Sequence, residues 1–271
     1  MEALIKDKPL IIKLGGSLIT DKNEAFSARE LLINDLCLEI SKIKHKIIVV
    51  HGAGSFGHPI AKKYDLHLGF KNKEQLKGFI ETKIKLQLLN KMIIDYLIKY
   101  NVLALAFPPS TFILAENRKI KKITIKPLVN ALKLGFTPVL HGDIMFDEAL
   151  GFSIVSGDQI IANLAPKVKA EKVIFGCDVD GVFTSDPKKD PEAKLIPIIN
   201  SENFKNVLKM IEQLKVADVT GGMKGKLIEC LSLAKKGIES VIINLTKPEN
   251  LTAFLNGKPI PCTRFKPFKT I

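Results

Sequence analysis

An α/β fold, a three-layer αβα sandwich with a largely parallel central sheet, is predicted by three features of the 271-residue chain. Short apolar, β-branched segments alternate with longer amphipathic ones, the pattern of a parallel sheet covered on both faces. Glycine-rich turns fall where strands end and helices begin. No internal repeat or low-complexity linker interrupts the series, and 46% apolar content suffices for a full core in one domain over residues 1–271.

The first strand, 9–14, runs into Lys13-Leu14-Gly15-Gly16-Ser17. A lysine near the end of an apolar strand is costly to bury unless it meets an anion; otherwise it carries its ammonium to solvent at the sheet edge. Lys22 follows in the next loop, and an amphipathic helix is expected over 28–42. The second strand, 46–51, leads into Gly52-Ala53-Gly54-Ser55-Phe56-Gly57-His58. Glycines let backbone N–H groups approach a phosphate closely, and a helix following His58 adds the positive end of its dipole. Gly52, Gly54 and Gly57 also match the G-x-G-x-x-G spacing of a dinucleotide-binding turn. That fingerprint belongs on a first strand with an acidic residue closing the next strand, whereas here an earlier strand precedes it and 73–99 reads as a long helix.

Strands are expected next at 102–107, 137–141, 171–176 and 239–243, and helices at 126–134, 157–166, 201–213 and 224–236. Ile113 to Ile125 and Ile144 to Val155 have the pattern of hairpins that would add antiparallel edges, and Thr184 to Lys194 that of a surface loop. After His141-Gly142, Asp143 either contacts a substrate or bonds the backbone of its own turn. Asp158, in the first turn of a helix, fits a cap as well as a functional carboxylate. Asp178, Asp180 and Gly181 close the 171–176 strand, with a spacing that allows a Mg²⁺ site. Thr220-Gly221-Gly222-Met223-Lys224-Gly225-Lys226 opens a helix with glycines and lysines together. No G-x-x-x-x-G-K-[ST] string is present, so phosphate must be held by one site assembled from several turns.

Composition excludes several classes. The formal charge of +13 comes from lysines spread along amphipathic helices, with no basic tail, three tyrosines and no tryptophan for base stacking. Such a field would draw in polyanionic substrates. No apolar run approaches the roughly 20 residues of a membrane span, and residues 1–8 lack the apolar core of a secretory signal. Cys37, Cys177, Cys230 and Cys262 are widely separated, without a C-x-x-C pair, which points to a reducing cytoplasm rather than to a disulfide or zinc scaffold.

Taken in order, Lys13-Leu14-Gly15-Gly16-Ser17, the Gly52 to His58 turn, Ser156-Gly157-Asp158, the Asp178 to Pro187 loop and Gly221-Gly222-Met223 with Lys226 resemble the amino acid kinase superfamily. Within it, Gly-Ser-Phe-Gly-His is most similar to the isopentenyl phosphate kinase family, with fosfomycin kinases as near relatives that share the histidine. The resemblance implies the amino acid kinase fold, with an acceptor-binding lobe at approximately 1–165 and an ATP-binding lobe at approximately 166–271. It implies phosphoryl transfer from ATP to isopentenyl phosphate in isoprenoid biosynthesis, Mg²⁺ held mainly by ATP oxygens and water, no protein metal site, and a homodimer.

By the same resemblance Lys13 and Lys226 bind ATP phosphates, while Gly15, Gly16, Ser17 and Gly54 present donors to the transferring group. Asp178, Gly181 and Gly222 belong to the nucleotide side, and Asp158 orients the lysines. Lys22 stabilises transition-state charge, although its sequence context equally fits a solvated loop lysine. His58 binds the acceptor phosphate, in its charged form, with Ala53 and Gly157; Asp143 is a further substrate contact. Phe70, Phe79, Ile80 and Ile84 surround the start of the long helix, with the last three expected near one face. If Phe79 and its neighbours line the site, an apolar five-carbon tail gains roughly 0.8 kcal/mol per buried CH₂. A kinase for another small phosphate or phosphonate, or a non-catalytic nucleotide-binding regulator, are the alternatives.

Overall fold

β-Branched and leucine-rich segments are buried on both sides wherever they form the middle of the sheet, so each strand contributes alternate residues to two cores. The computed structural model describes residues 8–187, 189–213 and 223–268, and the side chains of all of these except 211–213. In chain order its first half contains β1 (Leu10–Leu14), α1 (Gly16–Ile19), α2 (Glu30–Ser41), β2 (Ile47–His51), α3 (His58–Lys63), α4 (Glu74–Lys99), β3 (Ala104–Ala106), β4 (Ile113–Glu116), β5 (Lys119–Ile123) and α5 (Lys126–Lys133). β6 (Thr137–His141), β7 (Asp143–Asp147), β8 (Gly151–Val155), α6 (Gly157–Val168), β9 (Lys172–Cys177), β10 (Ile198–Ile199), α7 (Phe204–Gln213), α8 (Met223–Lys235), β11 (Glu239–Asn244), α9 (Asn250–Leu255) and β12 (Cys262–Phe265) follow.

Among the described residues an eight-stranded sheet has the order β10-β12-β11-β9-β1-β2-β6-β3. Pairing is parallel from β11 through β3, and β11–β12 is antiparallel. On one face Ile11, Val50, Leu140, Val173 and Phe175 pack with α5, α6 and α8. On the other, Ile12, Leu14, Val49 and Ile174 pack with α2, α4 and α9. This is the three-layer αβα sandwich expected from the alternation. No helix among the described residues is long and apolar enough to cross a membrane.

The two hairpins form, but not as edges of this sheet. β4–β5 and β7–β8 join through a parallel β4–β7 contact into a separate four-stranded sheet of order β5-β4-β7-β8. Its two-sided burial explains the difference: Met145 and Val155 belong to the core under α6, whereas Ile144 and Phe152 form a small third cluster with Leu66. Antiparallel pairing in the main sheet comes instead from β12, which the strand pattern does not single out. Expected strand 102–107 shortens to β3, and Gly221 and Gly222 lie outside the described residues.

Register fixes where function can sit. Leu14 pairs with both His51 and Gly176, and His51 pairs with His141, so four strands end on one row. Successive connections leave β1 and β9 in opposite directions across the sheet, which opens a crevice beyond those strand ends, the usual ligand position in a parallel sheet.

Candidate active site

Two glycine turns interlock in that crevice. A Cβ added to Gly52 would stand 2.4 Å from the Gly16 nitrogen, and one on Gly16 would stand 2.7 Å from the Gly54 nitrogen. Gly54 also has φ +50°, and a Cβ there would meet Thr20 Oγ1 at 2.1 Å. Only glycine allows the backbones to approach this closely. Thr20, fully buried, links the turns: its hydroxyl donates to Gly16 O at 2.7 Å and accepts from Ser55 N at 3.0 Å. Gly15 N donates to Gly176 O, so the first turn is also tied to β9.

On one side of the turns lies a buried ionic triad. Lys13, at the end of β1, donates to Asp158 Oδ1, and Lys226 on α8 brings its ammonium to 3.5 Å from Oδ2. Lys226 also stands 5.3 Å over the Phe175 ring. Lys13 and Lys226 are each 6% exposed and Asp158 is 8% exposed. Lys13 therefore does not reach solvent at the sheet edge, and Asp158 is not the helix cap. Ser156 fills that role, accepting from Gln159 N while Gln159 reaches back to Ser156 N in a reciprocal capping box.

Burial lowers the Lys13 pKa to about 8, with Lys226 adding to the fall and Asp158 opposing it. Burial works against the Asp158 carboxylate, but Lys13 and Lys226 outweigh it and hold its pKa below the ordinary value. Burial likewise opposes the Lys226 ammonium, but Asp158 together with Cys177 and Cys230 outweighs it, raising its pKa. With all three groups ionised the triad keeps a net positive charge, so an anionic phosphate fits beside it. Ser17 Oγ donates to Asp178 Oδ1 at 3.3 Å, bringing the end of β9 to the first turn. Asp180 pairs outward with Lys247 at 2.7 Å. At Gly181 a Cβ would meet Thr263 Oγ1 at 2.4 Å, so this glycine packs the loop onto β12. Among the described residues no group of three or more His, Cys, Asp or Glu side chains stands together to hold a metal ion.

On the other side the chemistry is open. His58 begins α3 and is exposed, and Ala53 lies in the turn before it. Loop 21–28 is held over the turn by Phe26 N donating to Ser55 O and by Ser55 Oγ donating to Ser27 O. That arrangement brings Lys22 near His58. Partial burial first, and then the Lys22 charge, lower the His58 pKa and favour the neutral ring at pH 7 in this structure; the charged form is the expectation for the ring in contact with a dianionic phosphate. Gly157 stands across from the turn, where a Cβ would lie 3.4 Å from His51 O and 3.6 Å from Lys13 Cε.

Two substrate-side expectations are corrected. The Asp143 side chain has no exposed surface: Oδ1 accepts from Ile144 N at 2.9 Å, and Oδ2 accepts from Ser110 N at 3.2 Å and Lys83 Nζ at 2.5 Å. It bonds its own turn and its neighbours rather than facing a ligand. Phe79 does not share a face with Ile80 and Ile84, which are 59% and 52% exposed. It packs instead against Phe146 and Phe152, with ring centroids 5.7 and 5.6 Å away; Phe70 is half-exposed and sets its ring edge-on to that of Phe152.

Sequence reasoning missed the polar layer beneath the Gly52–His58 turn. His51 Nε2 lies 3.1 Å from Asn90 Oδ1, and the His51 and His141 rings are 5.3 Å apart. Burial, reinforced by His141, drops the His51 pKa to about 3, and burial also lowers that of His141. Both rings are neutral supports. Their positions at matching ends of β2 and β6 are a sequence signal only once the register is known.

The amino acid kinase family model matches residues 8–244. The isopentenyl phosphate kinase of Methanothermobacter thermautotrophicus is 39% identical over 94% of this chain and 98% of its own length. That of Arabidopsis thaliana is 33% identical over 83% of this chain and 72% of the relative. A solved isopentenyl phosphate kinase structure superposes with a TM-score of 0.81 at 35% identity, covering 94% of this chain and 99% of the other. The chain belongs to the amino acid kinase family and, within it, to the isopentenyl phosphate kinases.

Proposed function

We propose that this protein is an ATP-dependent kinase that transfers the γ-phosphoryl group to isopentenyl phosphate, giving isopentenyl diphosphate and ADP in an alternative mevalonate route of isoprenoid biosynthesis. The observation that carries this reading is the pair of interlocked glycine turns between a buried, net-positive Lys13–Asp158–Lys226 triad and His58. An acceptor phosphate oxygen attacks the γ-phosphorus, the bond to the ADP oxygen breaks, and no protein group has to remove a proton from an already ionised acceptor. Catalysis then rests on positioning and charge neutralisation.

In this reading Lys13 and Lys226 bind nucleotide phosphates, held apart and aimed by Asp158. Gly15, Gly16, Ser17 and Gly54 surround the group in transfer, with Asp178 and Gly181 on the nucleotide side and Lys22 opposing the charge that develops. His58, Ala53 and Gly157 hold the acceptor phosphate, and Phe79 with its aromatic neighbours offers the tail an apolar surface. Mg²⁺ enters with ATP, bound by phosphate oxygens and water, in keeping with its reluctance to dehydrate. Residues 1–165 form the acceptor side and 166–271 the nucleotide side, with Lys13 crossing between them. A homodimer in the cytoplasm completes the proposal. In support, α4 exposes Leu76, Ile80, Ile84 and Leu88 at four-residue spacing, and all four cysteines are free.

The test is ADP formation by purified protein with Mg²⁺-ATP and, in parallel, isopentenyl phosphate, dimethylallyl phosphate, fosfomycin and UMP, with product mass confirmed. Preferential formation of isopentenyl diphosphate is expected. Turnover of fosfomycin or UMP in its place would overturn the acceptor, and nucleotide binding without turnover of any acceptor would favour a regulator.

A further inference from the structure

We infer that Lys83 is a positioning residue for the acceptor, joining α4 to Asp143 and Ser110 at the boundary between the phosphate turn and the aromatic cluster of Phe79. The inference rests on the acceptor being bound on the His58 side. Phe79, Lys83, Leu86 and Asn90 follow one another at three- and four-residue steps along the inward face of α4. Phe79 meets Phe146 and Phe152. Leu86 Cδ2 stands 3.5 Å from where a Cβ on Gly57 would be, and Asn90 holds His51. Lys83 therefore lies between the surface offered to an apolar tail and the turn offered to a phosphate.

Its ammonium is 2.5 Å from Asp143 Oδ2 and 2.5 Å from Ser110 Oγ, and its side chain is only 20% exposed. Asp143 has no exposed side-chain surface, and Lys83 is the cation paired with it in this structure. Gly142, next in the chain, stands where a Cβ would come to 3.0 Å from Gly157 N. A shift of the 142–143 backbone is thus transmitted directly to a backbone donor of the acceptor site. Lys83 holds that backbone against α4 from the side. A lysine on a lysine-rich amphipathic helix would ordinarily be solvated surface; the buried carboxylate it meets is what separates it from its neighbours Lys77, Lys85 and Lys91.

Steady-state kinetics and thermal melting of the full chain, as wild type, Lys83→Met, and Lys83→Met with Asp143→Asn, test this. With Lys83→Met the acceptor KM is expected to rise about tenfold or more, with the ATP KM within about twofold of wild type. In the double variant the melting temperature should rise above that of Lys83→Met but not return fully, because the uncompensated buried charge is gone while an amide can accept from only one of Ile144 N and Ser110 N, and the acceptor KM stays raised, because the link from α4 to β7 is still missing. An unchanged acceptor KM, equal rises for ATP and acceptor, or an acceptor KM that returns to wild type together with the melting temperature would each overturn the inference. If Lys83→Met alone does not fold, the double variant decides by the same criteria. Wild-type turnover of the four-acceptor panel is the control on the functional reading. Should an acceptor other than isopentenyl phosphate be turned over, that reading fails and the Lys83 comparison is made with the acceptor that is used.

Discussion

Lys13 and Lys226 meet their counter-charge inside the protein, whereas Lys22 and His58 lie near one another at an exposed surface with no ion pair among the described residues. The first region is complete before any ligand arrives: two ammonium groups share one carboxylate in a nearly dry setting, and their surplus charge stands beside the glycine turns. The second is open, with partial burial first and then the Lys22 charge depressing the ionisation of His58. The contrast separates two ways of recognising phosphate. On the proposed function, the preorganised triad would lower the reorganisation needed at the transferring group, while the open pair would become favourable only when the acceptor phosphate arrives.

The largest expected effect comes from emptying the buried triad. Asp158→Ala leaves two buried ammonium groups without their carboxylate, which should cost about 3–5 kcal/mol of stability and lower kcat about 10³-fold, measured by denaturant unfolding and steady-state kinetics. Asp158→Asn should be milder in stability. It also removes the interaction that raises the Lys13 pKa, so the alkaline fall of kcat/KM for ATP should move below the wild-type position. In the wild type that fall is expected as pH passes about 8, where Lys13 loses its proton in the free protein.

His58→Ala is the next largest: about 10²-fold lower kcat/KM for the acceptor with an unchanged melting temperature, because the side chain is exposed. A smaller effect sharpens the contrast through pH. The His58 pKa is lowered in the empty site, so the folded protein binds fewer protons there than the unfolded chain does. Its contribution to stability is present above the unfolded value of about 6.5 and is lost as pH falls through the lowered folded value. Acceptor binding acts in the opposite direction, favouring the charged ring, and calorimetry in buffers of different ionisation enthalpy should record proton uptake near neutral pH. Lys22→Met should raise the free His58 pKa, followed by NMR titration, and reduce that uptake.

The smallest effect concerns Thr20→Val, which removes one bond from each turn and should cost about 1–2 kcal/mol in thermal unfolding.

The fold was legible because alternation of apolar and amphipathic segments follows directly from a sheet buried on both faces, and the long elements β1, β2, β6, β9, α4 and α6 fall close to their expected bounds. Pairing partners were not legible. Nothing in Ile144 to Val155 says whether that hairpin extends the main sheet or folds over it, and β12 is a short strand with Thr263 and Arg264 inside it. In the candidate site, glycines and lysines at element ends marked the crevice, since turn chemistry is local. Carboxylate roles were not decided locally: Asp158 and Asp143 each looked like a turn or cap residue. Lys13, 145 positions away, distinguishes the first, and Lys83 and Ser110 the second. On α4 the spacing of Phe79, Ile80 and Ile84 points to a face one side away from the packed one. The packed face carries Gly78, Thr82, Leu86 and Leu89, so small and polar residues marked burial while Ile80 and Ile84 stayed outside.

The most direct test of the proposed division between a complete nucleotide region and an open acceptor region is the kinetics of His58→Ala measured against both substrates. A fall of about 10²-fold in kcat/KM for isopentenyl phosphate, with ATP affinity in the absence of acceptor within about twofold of wild type, is the expected result. Equal losses for both substrates, or no loss for the acceptor, would contradict it.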